Sequence, residues 1–215
     1  SVNLLAQSQR DVAAQVPINF VTNPTISLTA ACFGDRSYNG VDGSLCLSNL
    51  LTIGYRRIII DVFWSHQRRR WQLCPVTLPS KPSGSASVQH NLGPYTCDDG
   101  MGLSTIMNLL REYFRETEEA TERQMLYIIL NIHAARDPNA PNQPSRHLSS
   151  QELPSGGSLL GTLFRQELTP FIYTPADLRH DRSNLNESWF RDTTSLTHPM
   201  NGFFTVEEKD NGIQT

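Results

Sequence analysis

The side chain with the clearest chemical potential is Asp61, which follows an apolar run typical of a buried strand. Residues 58–60 are three isoleucines, which are poor helix formers but suit a strand covered on both faces in a parallel sheet. A carboxylate at the C-terminal end of such a strand lies where barrel enzymes carry their catalytic groups. The sequence therefore predicts Asp61 as a candidate catalytic or orienting group, provided that other polar groups reach it.

Asn131 and His133 are the candidate polar groups that could reach Asp61. They share one face of a predicted strand, because strand side chains alternate with a period of two. A functional interpretation makes His133 a general acid or base that Asp61 orients. The alternative is a hydrogen-bonded polar layer that closes the end of the core, since buried polar groups need partners.

A basic run of three arginines, Arg68, Arg69 and Arg70, could hold an anionic headgroup, because the guanidinium fork matches phosphate. The alternative is a solvated turn. The cysteines have no CxxC spacing and no nearby pair of histidines, so we expect no metal site. No cofactor motif is present, and no cofactor is expected.

The four cysteines allow three disulfide connectivities. We favour the two local pairings, Cys32 with Cys46 and Cys74 with Cys97, because each would staple a loop rich in Gly, Ser or Asp. A disulfide that closes a loop of this size stabilises by about 3 kcal/mol in the chain-entropy model. The alternative is four free thiols in a cytosolic protein.

Asn186 begins an N-glycosylation sequon, Asn-Glu-Ser, in a polar segment. Together with paired cysteines, the sequon favours the secretory pathway, with this chain on the luminal or extracellular side. The chain starts at Ser1 without a signal peptide and ends on a polar run. We therefore expect it to be a piece of a longer protein.

Composition excludes some functional classes. The chain has 215 residues and a net charge of −3, which argues against a nucleic-acid partner. No run approaches the roughly 18 apolar residues of a membrane span. Any membrane attachment would use a segment outside this chain.

The chain alternates predicted strands and helices. Strands are predicted at 17–22, 25–29, 58–64, 70–74, 125–132 and 171–173. Helices are predicted at 40–54, 106–114 and 159–168, with a helix start at 174–177. Two long loops are predicted at 79–100 and 134–157.

Alternating strands and helices predict an α/β protein with parallel strands and right-handed crossovers. A complete (β/α)₈ barrel needs eight strands and typically about 250 residues, which this chain cannot supply. We therefore expect either the N-terminal part of a TIM-type barrel or an open sheet. The apolar final strands favour the incomplete barrel, as a single domain over residues 1–215.

Short runs spread over nearly the whole chain resemble one fungal family, that of maintenance of telomere capping protein six. The runs lie at residues 8–11, 23–24, 27–34, 54–64, 73–75, 129–134, 173–178 and 181–186. Proteins of that family look like single-pass membrane glycoproteins with a signal peptide in the precursor. Their large luminal part is similar to the phospholipase C-like phosphodiesterase barrels. The resemblance does not imply that this domain touches DNA.

The residues that such phosphodiesterases use are largely missing here. The resemblance implies a histidine after the first strand, but residues 27–32 contain none. It implies an arginine two residues after the second-strand acid, where Asp61 is followed by Val62 and Phe63. It implies a second histidine after the third strand, where Leu73, Cys74 and Pro75 stand. Cleavage of a phosphodiester needs a base, an acid and a cation, so these losses disfavour catalysis.

Two hypotheses follow. The first is a non-catalytic luminal domain, a degenerate phosphodiesterase-like barrel that binds an unknown protein partner or a lipid headgroup. The second is a phosphodiesterase acting on phospholipid headgroups or glycerophosphodiesters, with a rearranged site built on Asp61 and His133. The second requires the two side chains to approach within hydrogen-bonding reach.

Overall fold

A computed structural model describes residues 24–79, 88–117, 125–174 and 176–177. The chain divides into two compact units, one formed by residues 24–120 and 126–170, the other by residues 1–23, 121–125 and 171–215. The α-helices and strands described below lie in the first unit. The predicted strand at 17–22 and the sequon at Asn186 lie outside the described residues, and the single domain over 1–215 stays a prediction.

Three parallel strands form the centre of the main sheet: β1 (Thr25–Ser27), β3 (Arg57–Ser65) and β7 (Tyr127–Ala134). Strand β3 lies between the other two, pairing with β1 over its first residues and with β7 along eight residues. All three run in the same direction, so their carboxyl ends point to the same edge. A fourth strand, β4 (Arg70–Gln72), returns antiparallel to the end of β3.

The two faces of β3 differ in burial. Ile58, Ile60 and Val62 are at most 2% exposed, whereas Ile59 and Asp61 are half-buried. The strand was expected to be covered on both faces, and the face that carries Ile59 and Asp61 is covered only in part. The strand also continues through Ser65, so Asp61 lies within it and not at its end.

Helix α1 (Leu28–Cys32) directly follows β1. The Ser27 hydroxyl accepts a hydrogen bond from the backbone N–H of Ala30 at 3.3 Å and so caps the first turn. The strand predicted at 25–29 therefore ends at Ser27 instead of continuing to Thr29. The chain begins a helix there because the Ser27 side chain caps its first turn. This places Thr29 in the first turn of α1.

Three longer helices follow the sequence pattern: α2 (Gly40–Thr52), α3 (Leu103–Glu116) and α4 (Leu160–Leu168). Asn39 caps α2 by accepting hydrogen bonds from the N–H groups of Val41 and Asp42. The apolar stripe of α3 is buried, with Ile106 at 0% exposure. All three helices were predicted, with boundaries shifted by a few residues.

Two of the three strands of a second sheet lie inside the segment predicted as a loop at 79–100. Strand β2 (Ser37–Tyr38) pairs parallel with β6 (Tyr95–Asp98), and β6 pairs antiparallel with β5 (Gln89–Leu92). Residues 80–87 are not described. The loop prediction is wrong for the hairpin because its strands are short and mostly polar, which leaves no clear alternation to read.

The second long loop lacks helix or strand between β7 and a short 3₁₀ helix, Gly156–Ser158. Two indole N–H groups fix it. The Trp64 indole donates to the Glu152 carbonyl oxygen at 2.7 Å, and the Trp71 indole donates to the Ser158 carbonyl oxygen at 2.8 Å. The loop is thus attached to β3 and β4.

The predicted strand at 171–173 is wrong, because Thr169–Phe171 form a 3₁₀ helix and no strand follows in the described residues. The predicted helix start is present. The Thr174 hydroxyl accepts from the Asp177 backbone N–H, and the Asp177 carboxylate accepts from the Thr174 backbone N–H. Within the described part of the chain, no helix has the length and hydropathy needed to cross a membrane.

Candidate functional site

The candidate site is centred on Asp61, on the half-buried face of β3. Asp61 is the register partner of Asn131 on β7. The Asn131 side-chain amide donates a hydrogen bond to Asp61 Oδ1 at 3.0 Å. Parallel pairing therefore brings together two residues that are 70 positions apart in the sequence.

The other oxygen of the same carboxylate is also occupied. The Thr29 hydroxyl, in the first turn of α1, donates to Asp61 Oδ2 at 2.6 Å. β1 ends opposite Ile59, so the first turn of α1 reaches the position of Asp61 on β3. Thr29 thus occupies the region where the family resemblance implies a histidine.

His133 lies on the same side of the sheet, two residues after Asn131. Its Nε2 is 3.6 Å from Asp61 Oδ1, and its side chain is 43% exposed. The imidazole stacks on the Phe63 ring with centroids 5.0 Å apart. Phe63, which stands where the resemblance implies an arginine, therefore supports the histidine ring and supplies no charge.

The surroundings of Asp61 stabilise its ionised form. Burial raises the pKa of Asp61, but the hydrogen bonds from Thr29 and Asn131 and the adjacent His133 outweigh burial, so the pKa lies below its ordinary value. The carboxylate is therefore charged at neutral pH. It can accept hydrogen bonds or orient a histidine, but it cannot act as a general acid at neutral pH.

Tyr38 in β2 is a residue of this region that the sequence did not suggest. It is 3% exposed, and its ring stacks on Phe33 with centroids 4.7 Å apart. Burial, followed by the neighbouring Tyr95 and Asp61, raises the pKa of Tyr38 to about 12. The Tyr38 phenol is therefore neutral at physiological pH.

Two arginines reach the same second sheet. Arg36 lies between α1 and β2, and Arg136 lies two residues after β7. Their guanidinium carbons are 6.0 Å and 5.9 Å from the centroid of the Tyr95 ring. No sequence signal singled them out, because isolated arginines in loops have no recognisable spacing.

The predicted anion-binding run is placed elsewhere. Arg68 forms an ion pair with Asp99 at 2.6 Å, and Arg70 donates to the Asp99 carbonyl oxygen at 2.6 Å. Burial raises the pKa of Asp99, but Arg68 and His90 outweigh it and the net direction is downward. Arg68 and Arg70 are thus engaged by one acidic residue, while Arg69 is exposed.

Both disulfides favoured by the sequence are present. Cys32–Cys46 joins α1 to α2, and Cys74–Cys97 joins the segment after β4 to β6. The second bridge attaches the smaller sheet to the parallel one, and Cys74 and Cys97 are fully buried. Among the described residues, no group of three or more His, Cys, Asp or Glu side chains could hold a metal ion.

Adjacent parallel strands joined by helical connections, with polar side chains gathered around the central strand, define the chain as a partial (β/α) barrel. It matches the family model described as the MTC6 partial TIM-barrel domain over residues 4–213, and it therefore belongs to that family. The sequence-based expectation of an incomplete TIM-type barrel is confirmed.

Curated relatives carry the name Maintenance of telomere capping protein 6. The protein of Meyerozyma guilliermondii is 24% identical over 97% of this chain and 38% of its own length. The protein of Debaryomyces hansenii is 26% identical over 71% of this chain and 24% of its own length. The protein of Candida albicans strain SC5314 is 25% identical over 84% of this chain and 31% of its own length.

The chain thus spans well under half the length of these curated relatives. No solved structure matches it.

Proposed function

We propose that this chain is a non-catalytic binding domain on the luminal or extracellular side of a single-pass membrane glycoprotein. The observation that carries the proposal is that both oxygens of the Asp61 carboxylate already accept hydrogen bonds from the protein. Thr29 donates to one oxygen and Asn131 to the other, with His133 beside the second oxygen. A carboxylate in this arrangement holds three segments of the barrel together, as a structural polar layer does.

The chemistry of phosphodiester cleavage makes further demands on a site. It requires a base, an acid and a cation at the phosphate. His133 could serve in one proton-transfer role, but Asp61 is held ionised and already accepts two hydrogen bonds. Phe63 replaces the cation that the family resemblance implies. The residues around Asp61 thus favour recognition over turnover.

The two disulfides support a secretory location, because such bonds persist in oxidising compartments. The sequon at Asn186 adds to that argument. The partner is a protein or a lipid headgroup. The face beside the cluster carries half-exposed apolar side chains such as Ile129, which is 43% exposed. This mixture of apolar and polar groups suits a binding surface.

A turnover assay tests the proposal. The wild-type chain and the His133→Ala variant are each incubated with glycerophosphodiester and phosphatidylinositol substrates. We expect no turnover above background in either protein. His147→Ala is the matched control, because His147 is an exposed loop histidine. Turnover that disappears in His133→Ala and persists in His147→Ala would contradict the non-catalytic proposal.

The second candidate function is a phosphodiesterase acting on phospholipid headgroups or glycerophosphodiesters. One observation favours it: His133 Nε2 lies 3.6 Å from Asp61 Oδ1, close to the geometry of an oriented acid or base. The same assay separates the two candidates.

The compartment is tested separately. The chain is expressed in a fungal host behind a secretory leader, and its free thiols are counted by alkylation under denaturing, non-reducing conditions. We expect no free thiols and a glycan that is lost in Asn186→Gln. Four free thiols would contradict the secretory location.

A further inference from the structure

Arg36 and Arg136 place two positive charges around one aromatic ring. Their guanidinium carbons lie 6.0 Å and 5.9 Å from the Tyr95 ring centroid. Arg36 is exposed and Arg136 is partly exposed, so the region is open to solvent from the Arg36 side. The two residues come from loops 100 positions apart, and only the fold brings them together.

The backbone holds both residues in place. Arg36 has a left-handed φ of 65°, and its carbonyl oxygen accepts a hydrogen bond from the Thr96 N–H at 3.1 Å. Arg136 donates its backbone N–H to the Pro75 carbonyl oxygen and accepts from the Thr77 N–H. The backbone positions of the two residues are thus set by the sheet connections, which supplies part of the preorganisation that a binding site needs.

The Arg136 side chain is partly anchored and partly unsatisfied. Its Nη1 donates to the Tyr95 hydroxyl at 2.9 Å and to the Pro141 carbonyl oxygen at 3.2 Å. Its Nε is buried without a hydrogen-bond partner. A buried donor without a partner costs free energy, so this guanidinium is incompletely satisfied by the protein itself.

Neither arginine has a carboxylate partner in the described part of the chain, unlike Arg68 with Asp99 or Arg111 with Glu167. The tyrosine ring face attracts both cations but neutralises neither. Both guanidinium groups therefore border the same tyrosine ring, and no carboxylate in the described residues compensates either charge. Such a pair of charges attracts an anion.

We propose that Arg36 and Arg136, gathered around Tyr95, form a binding site for the phosphate group of a phosphate ester. Phosphate carries several acceptor oxygens, so it can accept hydrogen bonds from two guanidinium forks at once. A carboxylate carries a single charge, so it compensates two guanidinium groups less completely than a phosphate does. The inference rests on the proposed binding function and names its ligand class.

The test uses the whole chain and three probes: inorganic phosphate, soluble glycerophosphoinositol, and phosphatidylcholine vesicles with or without phosphatidylinositol. Binding of the soluble probes is measured by calorimetry, with acetate as the control anion. Vesicle binding is measured by co-sedimentation. We expect phosphate or its ester to bind and acetate not to bind.

Arg36→Gln is the decisive variant, because Arg36 is exposed and its substitution leaves the core intact. Loss of a charged hydrogen bond should weaken binding at least about tenfold. Arg165→Gln is the control, since Arg165 is also an exposed arginine and lies on helix α4. We expect its binding to equal that of the wild-type chain.

The outcomes separate the possibilities. If the chain binds the soluble ester and Arg36→Gln abolishes that binding, the phosphate belongs to a soluble ligand. If the chain binds vesicles only when they contain phosphatidylinositol and Arg36→Gln abolishes that binding, the phosphate belongs to a lipid. Either result supports the site. Equal weakening by Arg36→Gln and Arg165→Gln would indicate general charge attraction and overturn the proposal. Unchanged binding in Arg36→Gln, or a folded wild-type chain that binds none of the probes, would also overturn it.

Failure here is distinguishable from failure of the proposed function. If the chain neither binds phosphate nor turns over substrate, only the proposed phosphate site is contradicted, and the non-catalytic proposal stands. Turnover that depends on His133 removes the non-catalytic proposal, whatever the phosphate measurements show.

Discussion

Asp61 and Asn131 face each other across two neighbouring parallel strands, and the Asn131 amide donates to the Asp61 carboxylate at 3.0 Å. With Thr29 on the other carboxylate oxygen, this contact links β3, β7 and the first turn of α1. The link lies on the half-buried face of the sheet, where solvent weakens each hydrogen bond only in part. It is therefore both the centre of the candidate site and a stabilising element of the barrel.

Replacement of Asp61 should destabilise the fold in a pH-dependent way. Asp61→Asn removes the charged acceptor of Thr29 and His133, and we expect a loss of about 1–3 kcal/mol in the free energy of unfolding at neutral pH. Because the pKa of Asp61 is held below its ordinary value, the wild-type chain has this stabilisation above the ordinary carboxyl range and loses it as pH falls through the lowered pKa. The difference between the two proteins should narrow in acid.

Urea unfolding at neutral and acidic pH measures this difference. Asp42→Asn is the control, since Asp42 is an exposed acid in the first turn of α2, and its cost should stay below about 0.5 kcal/mol. A difference between Asp61→Asn and wild type that is constant with pH would show that the charge of Asp61 does not stabilise the fold.

The indole hydrogen bonds should order two different parts of the loop after β7. Trp71→Phe removes the donor to Ser158, and Trp64→Phe removes the donor to Glu152. We expect faster amide hydrogen exchange near 156–160 in the first variant and near 149–152 in the second, because each local opening becomes easier. Identical exchange profiles in the two variants would contradict separate anchoring.

The turn between β5 and β6 should not tolerate a side chain. Gly93 has a φ of 64°, and a Cβ there would lie 2.5 Å from Pro141 Cγ. Gly156 has a φ of 56° with open space around it, so Gly156→Ala measures the backbone cost alone, about 1–2 kcal/mol. Gly93→Ala should cost at least about 1 kcal/mol more in thermal or urea unfolding.

A double-mutant cycle isolates the steric part of that cost. In a Pro141→Gly background, Gly93→Ala should cost about as much as Gly156→Ala, because the proline ring is gone. If the cost of Gly93→Ala is the same in both backgrounds, the hairpin does not pack on Pro141.

Tyr38 should make the fold sensitive to alkaline pH. Its pKa is raised to about 12, mainly by burial, so the folded chain favours the neutral phenol. The contribution of the neutral Tyr38 phenol to the free energy of unfolding is therefore fully present below pH 10, the ordinary pKa of tyrosine. This contribution is lost as pH rises through about 12. Tyr38→Phe should remove the phenolate absorbance component near pH 12 and lessen the alkaline loss of stability.

An ultraviolet titration of the chain, followed by unfolding measurements between neutral and alkaline pH, tests this expectation. Tyr55→Phe is a suitable control, because Tyr55 lies in a partly exposed turn after α2. Persistence of the component near pH 12 in Tyr38→Phe would assign it to another tyrosine.

Much of the fold follows from local patterns. The isoleucine run predicts β3 and the apolar stripe predicts α3. The composition of the loops between the cysteines favours the two local pairings among three connectivities, and both disulfides are present. The polar hairpin at β5 and β6 was missed, because its stability comes from pairing with β2 and from the Cys74–Cys97 bridge. Pairing of distant segments leaves little trace in local composition.

The sequence by itself determined which residues could do chemistry on the central strands, because Asp61, Asn131 and His133 follow from strand periodicity and residue type. Only the tertiary structure decided how they are used. The register between β3 and β7 places Asp61 opposite Asn131. The Ser27 cap begins helix α1, whose first turn places the Thr29 hydroxyl against the same carboxylate. Parallel strands meet through long crossovers, so their register depends on packing over the whole sheet and not on neighbouring residues.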